Sequence, residues 1–406
     1  MYSMRDSGGL PMNFNEYVER RGTGSSKWDN AEQVFGDLDS KGVIPMWVAD
    51  TDFKCPPEIV DAVNQRAQMG VFGYQSRRTP AMENAAVGWM KKRYGWEIDK
   101  DWIVFTPGIV PVLCHAVLAF TQPGDGVIIQ QPVYYPFANS VVNNDRVVRN
   151  NGLIKDENGY HMNFEQLEEL AAEEQTKMMI LCSPHNPVGR VWSREDVARV
   201  CQICAKYDVI LVSDEIHADL IMKGVTFAST GPVAQEYGTK VISCYAPSKT
   251  FNIAGLQASA IIIPDEDVRK QFCRQVEKTG LTSLNVFACT ALETAWTQCE
   301  WYVDEVMAYV EDNMDYAIDY IREHMPKIKV RKPEGTFLAW LDVRELLTDG
   351  EEVRRFFVEQ AKIAVDPGDW FGEAGTGFAR MNMACHRSTL EQALTQLRKA
   401  YEEKFT

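Results

Sequence analysis

The chain has 406 residues, too many for one small core, with the ordinary globular balance of 45% hydrophobic and 24% charged residues. Its 42 basic and 57 acidic residues leave a net charge of −15, which speaks against a nucleic-acid-binding face and for a soluble protein, while leaving room for a local anion pocket. The N-terminal "MYSMRDSGGLPMNFNEYVERR" has no apolar core of signal-peptide length, and no run approaches the ~18 apolar residues of a membrane span. The ten cysteines follow no framework and read as reduced thiols, so a cytoplasmic location without membrane contact is expected.

Residues 1 to 50 are mixed and turn-rich, ending in "VIPMWVADTDFKCPP". "DWIVFTPG" reads as a strand entering a tight turn, and "VPVLCHAVLAFTQPG" as a helix with Pro111 in its first turn. "GVIIQQPVYY" is strand-like, and "NFEQLEELAAEEQ" has apolar positions at helical spacing. "KMMILCSPHNPVG" is an apolar run broken by turn residues. In "SREDVARVCQICAKYD" Ser193 fits an N-cap with Asp196 three residues on. Cys201 and Cys204, a lone pair without zinc-site partners, fit core packing on that helix. "VILVSDEIH", "KVISCYAPSK" and "ASAIIIP" are further apolar strands. Short apolar runs alternating with helices imply an α/β domain, a mostly parallel sheet covered by helices, over residues 51–290. A long helical pattern over 296 to 324, "IKVRKPEGTFLAWLDV", a helix near 351 to 362, "GFARMNMAC" and a last helix from Ser388 suggest a smaller α+β domain, 291–406 joined by 1–50.

In an open parallel sheet, ligands collect at the C-terminal strand ends. In chain order those ends carry Ile109 and Val110 at a helix start, then Tyr134, Asn186, Asp214 with His217, and Ser248 with Lys249. Free amides at a helix start form an anion site. Singly, Asp214 reads as a helix cap, Asn186 as an Asx turn before Pro187 and Lys249 as a solvated loop lysine. Together they form the set that a phosphorylated pyridine aldehyde needs. A lysine amine bonds covalently to the aldehyde, a carboxylate keeps the ring nitrogen protonated, an aromatic stacks on the ring, and an amide donates to the phenolic oxygen.

The chain resembles the fold type I pyridoxal-phosphate enzymes of the class I/II aminotransferase superfamily. Within them it is most similar to the MalY/PatB family of cystathionine β-lyases, or C–S lyases. "PMWVADTDF", "GVFGYQ", "SPHNPVGRVW", "VSDEIHADL", "APSKTFNIAGL" and "FARMNMACHRSTLEQAL" carry the resemblance, which covers essentially the whole chain. It implies pyridoxal 5'-phosphate as cofactor, bonded to Lys249. Asp214 would face the pyridine nitrogen, Asn186 the phenolic oxygen and Tyr134 the ring. Ile109, Val110 and Ser248 would hold the phosphate, with Tyr74 reaching it from the neighbouring subunit of a homodimer. Arg380 would clamp the substrate carboxylate beside Asn186, its planar fork suiting bidentate pairing. Ala49 and Asp50 would border the substrate. His217, Ala246 and Gln257 stand where many aminotransferases carry a tyrosine, a serine and an arginine. His217 is counted with the cofactor site, and the phosphate would lean on helix-start amides, Ser248 and Tyr74. The implied reaction is α,β-elimination on an amino acid with sulfur at Cβ, with Lys249 moving the Cα proton and Tyr134 or Lys249 protonating the leaving sulfur. An aminotransferase using the same lysine, and a ligand-binding regulator with little turnover, are the alternatives.

Overall fold

The computed structural model describes residues 12–36 and 42–406. A seven-stranded sheet forms the centre: β1 (Ile103–Thr106), β2 (Gly126–Ile129), β3 (Val147–Asn150), β4 (Thr176–Cys182), β5 (Ile210–Asp214), β6 (Val241–Tyr245) and β7 (Ser259–Ile262), in the order β1-β7-β6-β5-β4-β2-β3. The strands β3, β2, β4, β5 and β6 pair in parallel. β7 runs antiparallel to both β6 and β1. "ASAIIIP" hides this reversal, because a strand buried on both faces is a continuous apolar run in either direction.

Alternation along the strands feeds two separate cores. Met178, Ile180, Ile210 and Val212 pack with Val112, Ala116 and Phe272 on one face. Met179, Leu181 and Leu211 pack with Val197, Cys201 and Cys204 on the other. Burying a side chain of this size contributes about 1.5–3 kcal/mol. The helix α2 (Arg194–Lys206) on the second face starts at a full capping box between Ser193 and Asp196. On the first face α1 (Ile109–Phe120) starts at Gly108, whose φ of 90° is a conformation that favours glycine. Asp214 is in phase with Ile210 and Val212, so the sheet's own period of two aims it at the α1 side.

A second, antiparallel sheet comprises β8 (Lys329–Val330), β9 (Leu338–Asp342), β10 (Asp366–Pro367) and β11 (Phe378–Asn382), in the order β8-β9-β11-β10. The helix expected over 296 to 324 is two helices, Val286–Gln298 and α3 (Glu300–His324), separated at Cys299. The first packs against helices Pro57–Gln68 and Pro80–Tyr94, whereas α3 runs along α4 (Arg387–Phe405), so one straight rod could not bury both. Near 351 to 362 an α-turn, Gly350–Arg354, passes into a π-helical stretch, Arg355–Gln360. Among the described residues no helix is long and apolar enough to cross a membrane.

Candidate active site

A cavity of about 360 Å³ opens at the C-terminal ends of β4, β5 and β6. Its wall includes Ala49, Ile109, Val110, Tyr134, Asn186, Asp214, His217, Ser248 and Lys249, which lie up to 200 positions apart in sequence. A smaller cavity of about 190 Å³, between the hairpin Ile154–His161 and the second sheet, contains charged groups already in pairs, Lys155 with Asp342 and Arg190 with Glu334. It holds none of the sequence-selected residues.

Lys249 follows β6 through a tight turn and is partly exposed to the cavity. Its Nζ donates to the carbonyl oxygen of Ala49 at 2.7 Å. Burial, the largest influence, lowers its pKa to about 8, Arg380 pushes the same way, and Asp50 and Asp214 oppose them. An amine there is a usable nucleophile and base near neutrality. Asp214, the last residue of β5, is only 5% exposed, and burial raises its pKa to about 7. The backbone N–H of Ile216 donates to its Oδ1 at 3.1 Å, and Lys249 lowers its pKa as well. His217 is kept neutral by burial and by the nearby positive charges of Lys249 and Arg380, with its pKa lowered to about 3. Its Nδ1 is buried without a hydrogen-bond partner.

Arg380 on β11 lies behind the wall, 3% exposed. Its Nη1 donates to Oδ1 of Asn186 at 2.9 Å and its Nη2 to the carbonyl of Trp47 at 3.0 Å. Asn186 therefore keeps its Nδ2 as the group it can offer. Arg380 also pairs with Asp366, its cross-strand neighbour on β10. Burial raises the pKa of Asp366 to about 6 although Arg380 opposes it. Nothing in "VDPGDW" marks Asp366 for this place, since Asp before Pro reads as a turn. Tyr134 leans on the rim, its backbone N–H held by the carbonyl of Asn186 at 3.0 Å, and burial pushes its phenol well up. Gln257 and Leu281 also line the cavity, so no arginine stands at the Gln257 position.

The single chain does not bring Tyr74 to the cavity, Asp50 is not part of its wall, and Arg380 meets it through Asn186. The Tyr74 side chain is fully exposed, on a segment where Met69, Val71 and Phe72 are exposed too.

These groups fit pyridoxal phosphate on structural grounds. A carboxylate that burial leaves poorly compensated faces the cavity, an orphaned imidazole nitrogen borders it, and α1 presents its start there beneath Gly108.

The model of the class I and II aminotransferases matches residues 41–397. Cystathionine β-lyase PatB of Bacillus subtilis (strain 168) is 41% identical over 391 residues, which is 96% of this chain and 100% of PatB. The crystal structure of cystalysin from Treponema denticola, which contains a pyridoxal 5'-phosphate cofactor, superposes with a TM-score of 0.94 at 36% identity, covering 97% of this chain and 100% of that one. A PLP-bound C–S lyase from Staphylococcus hominis, complexed with the inhibitor L-cycloserine, gives 0.91 at 30% identity, covering 97% and 98%. The chain belongs to the class I and II aminotransferase family, fold type I, in the company of these lyases.

Proposed function

We propose that the chain is a pyridoxal-phosphate-dependent C–S β-lyase, acting on cystathionine- or cysteine-type amino acids to give pyruvate, ammonia and a thiol. The observation that carries the reading is the meeting of Lys249 and Asp214 in one cavity, with Arg380 reaching it through Asn186. The near full-length likeness to PatB turns the choice from transamination toward elimination.

Bound in the cavity, pyridoxal phosphate supplies an aldehyde and an electron-accepting ring that stabilises negative charge at Cα. Lys249 would hold the cofactor through its amine, and that amine, when free, would take the Cα proton of the bound amino acid. Asp214 would pair with the ring nitrogen and keep it protonated. Asn186 would donate to the phenolic oxygen, Tyr134 would cover the ring, and the α1 amides at Ile109 and Val110 would hold the phosphate with Ser248. His217, neutral and buried, would pack beside the ring. Arg380 and Asn186 bind the substrate carboxylate, and the Ala49–Asp50 backbone borders it. The sulfur leaves with a proton from Lys249 or Tyr134, and the released enamine hydrolyses to pyruvate and ammonia.

The seven-stranded sheet lies within residues 51–290, which we take as the cofactor domain, and the second sheet lies within 291–406, which we take with 1–50 as the smaller one, residues 1–11 and 37–41 of that part lying outside the described residues. The exposed apolar segment at 69–74 supports a homodimer in which Tyr74 reaches the neighbouring cavity. Free cysteines suit the reducing cytoplasm. A panel of amino acids tests the reaction. Cystathionine or cysteine should give pyruvate, ammonia and thiol without added keto acid, and alanine at most slow transamination. Steady turnover that requires a keto acid and returns a new amino acid in equal amount would establish the transaminase instead. Mixed dimers of Lys249→Ala and Tyr74→Ala chains contain one site with both residues intact, so activity recovered on mixing supports the shared site; verified hybrids without recovery refute it.

A further inference from the structure

The segment Trp47–Phe53 crosses the site without regular secondary structure. Backbone carbonyls in such a strap need partners, and here side chains from the site's own elements supply them. Trp47 O accepts from Arg380, and Ala49 O from Lys249. Val48 O and Asp50 O both accept from Nδ2 of Asn382, at 2.7 and 2.6 Å. Thr51 O and Phe53 O accept from Nδ2 of Asn252, at 2.9 and 2.8 Å. Asn382 lies two residues beyond Arg380 on β11 and is 1% exposed. Its Oδ1 accepts the N–H of Ala384 at 2.8 Å, which fixes the direction of its amide.

The carbonyl that Lys249 uses therefore lies between the two that Asn382 grips. The N–H of that same peptide, on Asp50, donates to Val48 O at 2.9 Å, a carbonyl that Asn382 also grips, so releasing Asn382 lets the plane turn and takes the acceptor away from the amine. We propose that Asn382 is a positioning residue for Lys249, fixing the Ala49 carbonyl so that the free amine is held at one place and in one orientation. The inference rests on the reading of Lys249 as the cofactor lysine, yet it is testable without cofactor or turnover.

An ammonium group has three donors and no acceptor, so a carbonyl at 2.7 Å favours the charged form. Losing that acceptor makes the free amine more abundant. The other charged and titratable groups facing Lys249 are Asp50, Asp214, Arg380 and His217, and the substitutions below leave all four in place. The experiment is competitive acetylation of the cofactor-free protein across pH, with Lys249 read by peptide mass spectrometry. The wild-type midpoint should fall near about 8. In Asn382→Ala it should move down by about half to one pH unit, seen as roughly three- to fivefold faster labelling at pH 7. Asn382→Ser, with one donor for two carbonyls, should fold more readily and shift about half as far.

Asn313→Ala is the structural control. Asn313 is buried and its Nδ2 grips two other carbonyls, Met383 O at 3.0 Å and Cys385 O at 2.8 Å. It should cost stability without moving the Lys249 midpoint. An unchanged midpoint in a folded Asn382 variant, or an equal shift in Asn313→Ala, overturns the proposal. A chain that labels as expected but makes no pyruvate refutes the lyase reading and leaves this inference standing.

Discussion

Two lysines meet the same strap, and they are paired in opposite ways. Lys27 has a fully buried side chain and sits 2.9 Å from Asp52. Arg20 bridges Asp50 and Asp52, and the indole of Trp28 donates to Asp52 as well. Each charge there has an opposite one at hand. Lys249 has a neutral carbonyl as its hydrogen-bond partner, and Asp214 is held by a backbone N–H. The first arrangement resembles a structural ion cluster, where desolvation is offset by pairing. The second leaves groups in a shifted state facing an open cavity, which is how reactive sites are poised.

The sharpest break of this contrast is Lys249→Ala. Turnover should fall by at least about ten-thousandfold, as when a group acting in every step is removed, and the borohydride-reducible link to the cofactor should vanish. Reduced cofactor found on another lysine by peptide mapping would sink the assignment. Lys27→Ala should do the reverse. It should cost about 3 kcal/mol in urea unfolding, the lower end for breaking a buried pair, because Arg20 and Trp28 still hold Asp52. The cofactor link should still form on Lys249. Stability unchanged within 0.5 kcal/mol (about the scatter of a neutral surface change) would show that the Lys27 cluster is not structural.

Asp214→Ala should lower turnover about a hundredfold, comparable with loss of one key electrostatic group. Full cofactor content with near-normal rate would contradict its role. The smallest signal is a pH slope. Asp214 titrates near about 7 in the folded, cofactor-free chain and near 3.9 when unfolded (about the model-peptide value). The folded state thus binds more protons between these values, and this group's contribution to stability declines as pH rises from about 4 to 7. Asp214→Asn should remove a slope of at most about 1.4 kcal/mol per pH unit, one proton's worth. Parallel urea midpoints for the two proteins across that window would show instead that Asp214 is ionised throughout.

What the sequence made legible were residues whose side chains announce themselves after an apolar run. Asp214, Asn186, Lys249 and Tyr134 each stand next to such a run, and the rule of strand ends gathers them. Arg380 was legible through its motif, but its partner Asp366 was not, because the pairing depends on the register of β10 and β11. The direction of β7 and the break at Cys299 left no mark either, since both depend on what packs against the segment. Least visible was the strap. Its working groups are carbonyl oxygens, which every residue has, so only the asparagines that grip them carry a sequence signal.

Those carbonyls have an evolutionary consequence. No substitution at position 49 can delete the acceptor, because proline and glycine alike retain a C=O. Ala49 is 8% exposed and lines the cavity, so the side chain there is limited by the room that the cavity and its neighbours leave. Variation in this contact must enter from outside, through Asn382, Asn252 and the charges around Lys27. A lineage drifting toward a different reaction could thus retune its central amine while the residue touching it stayed alanine.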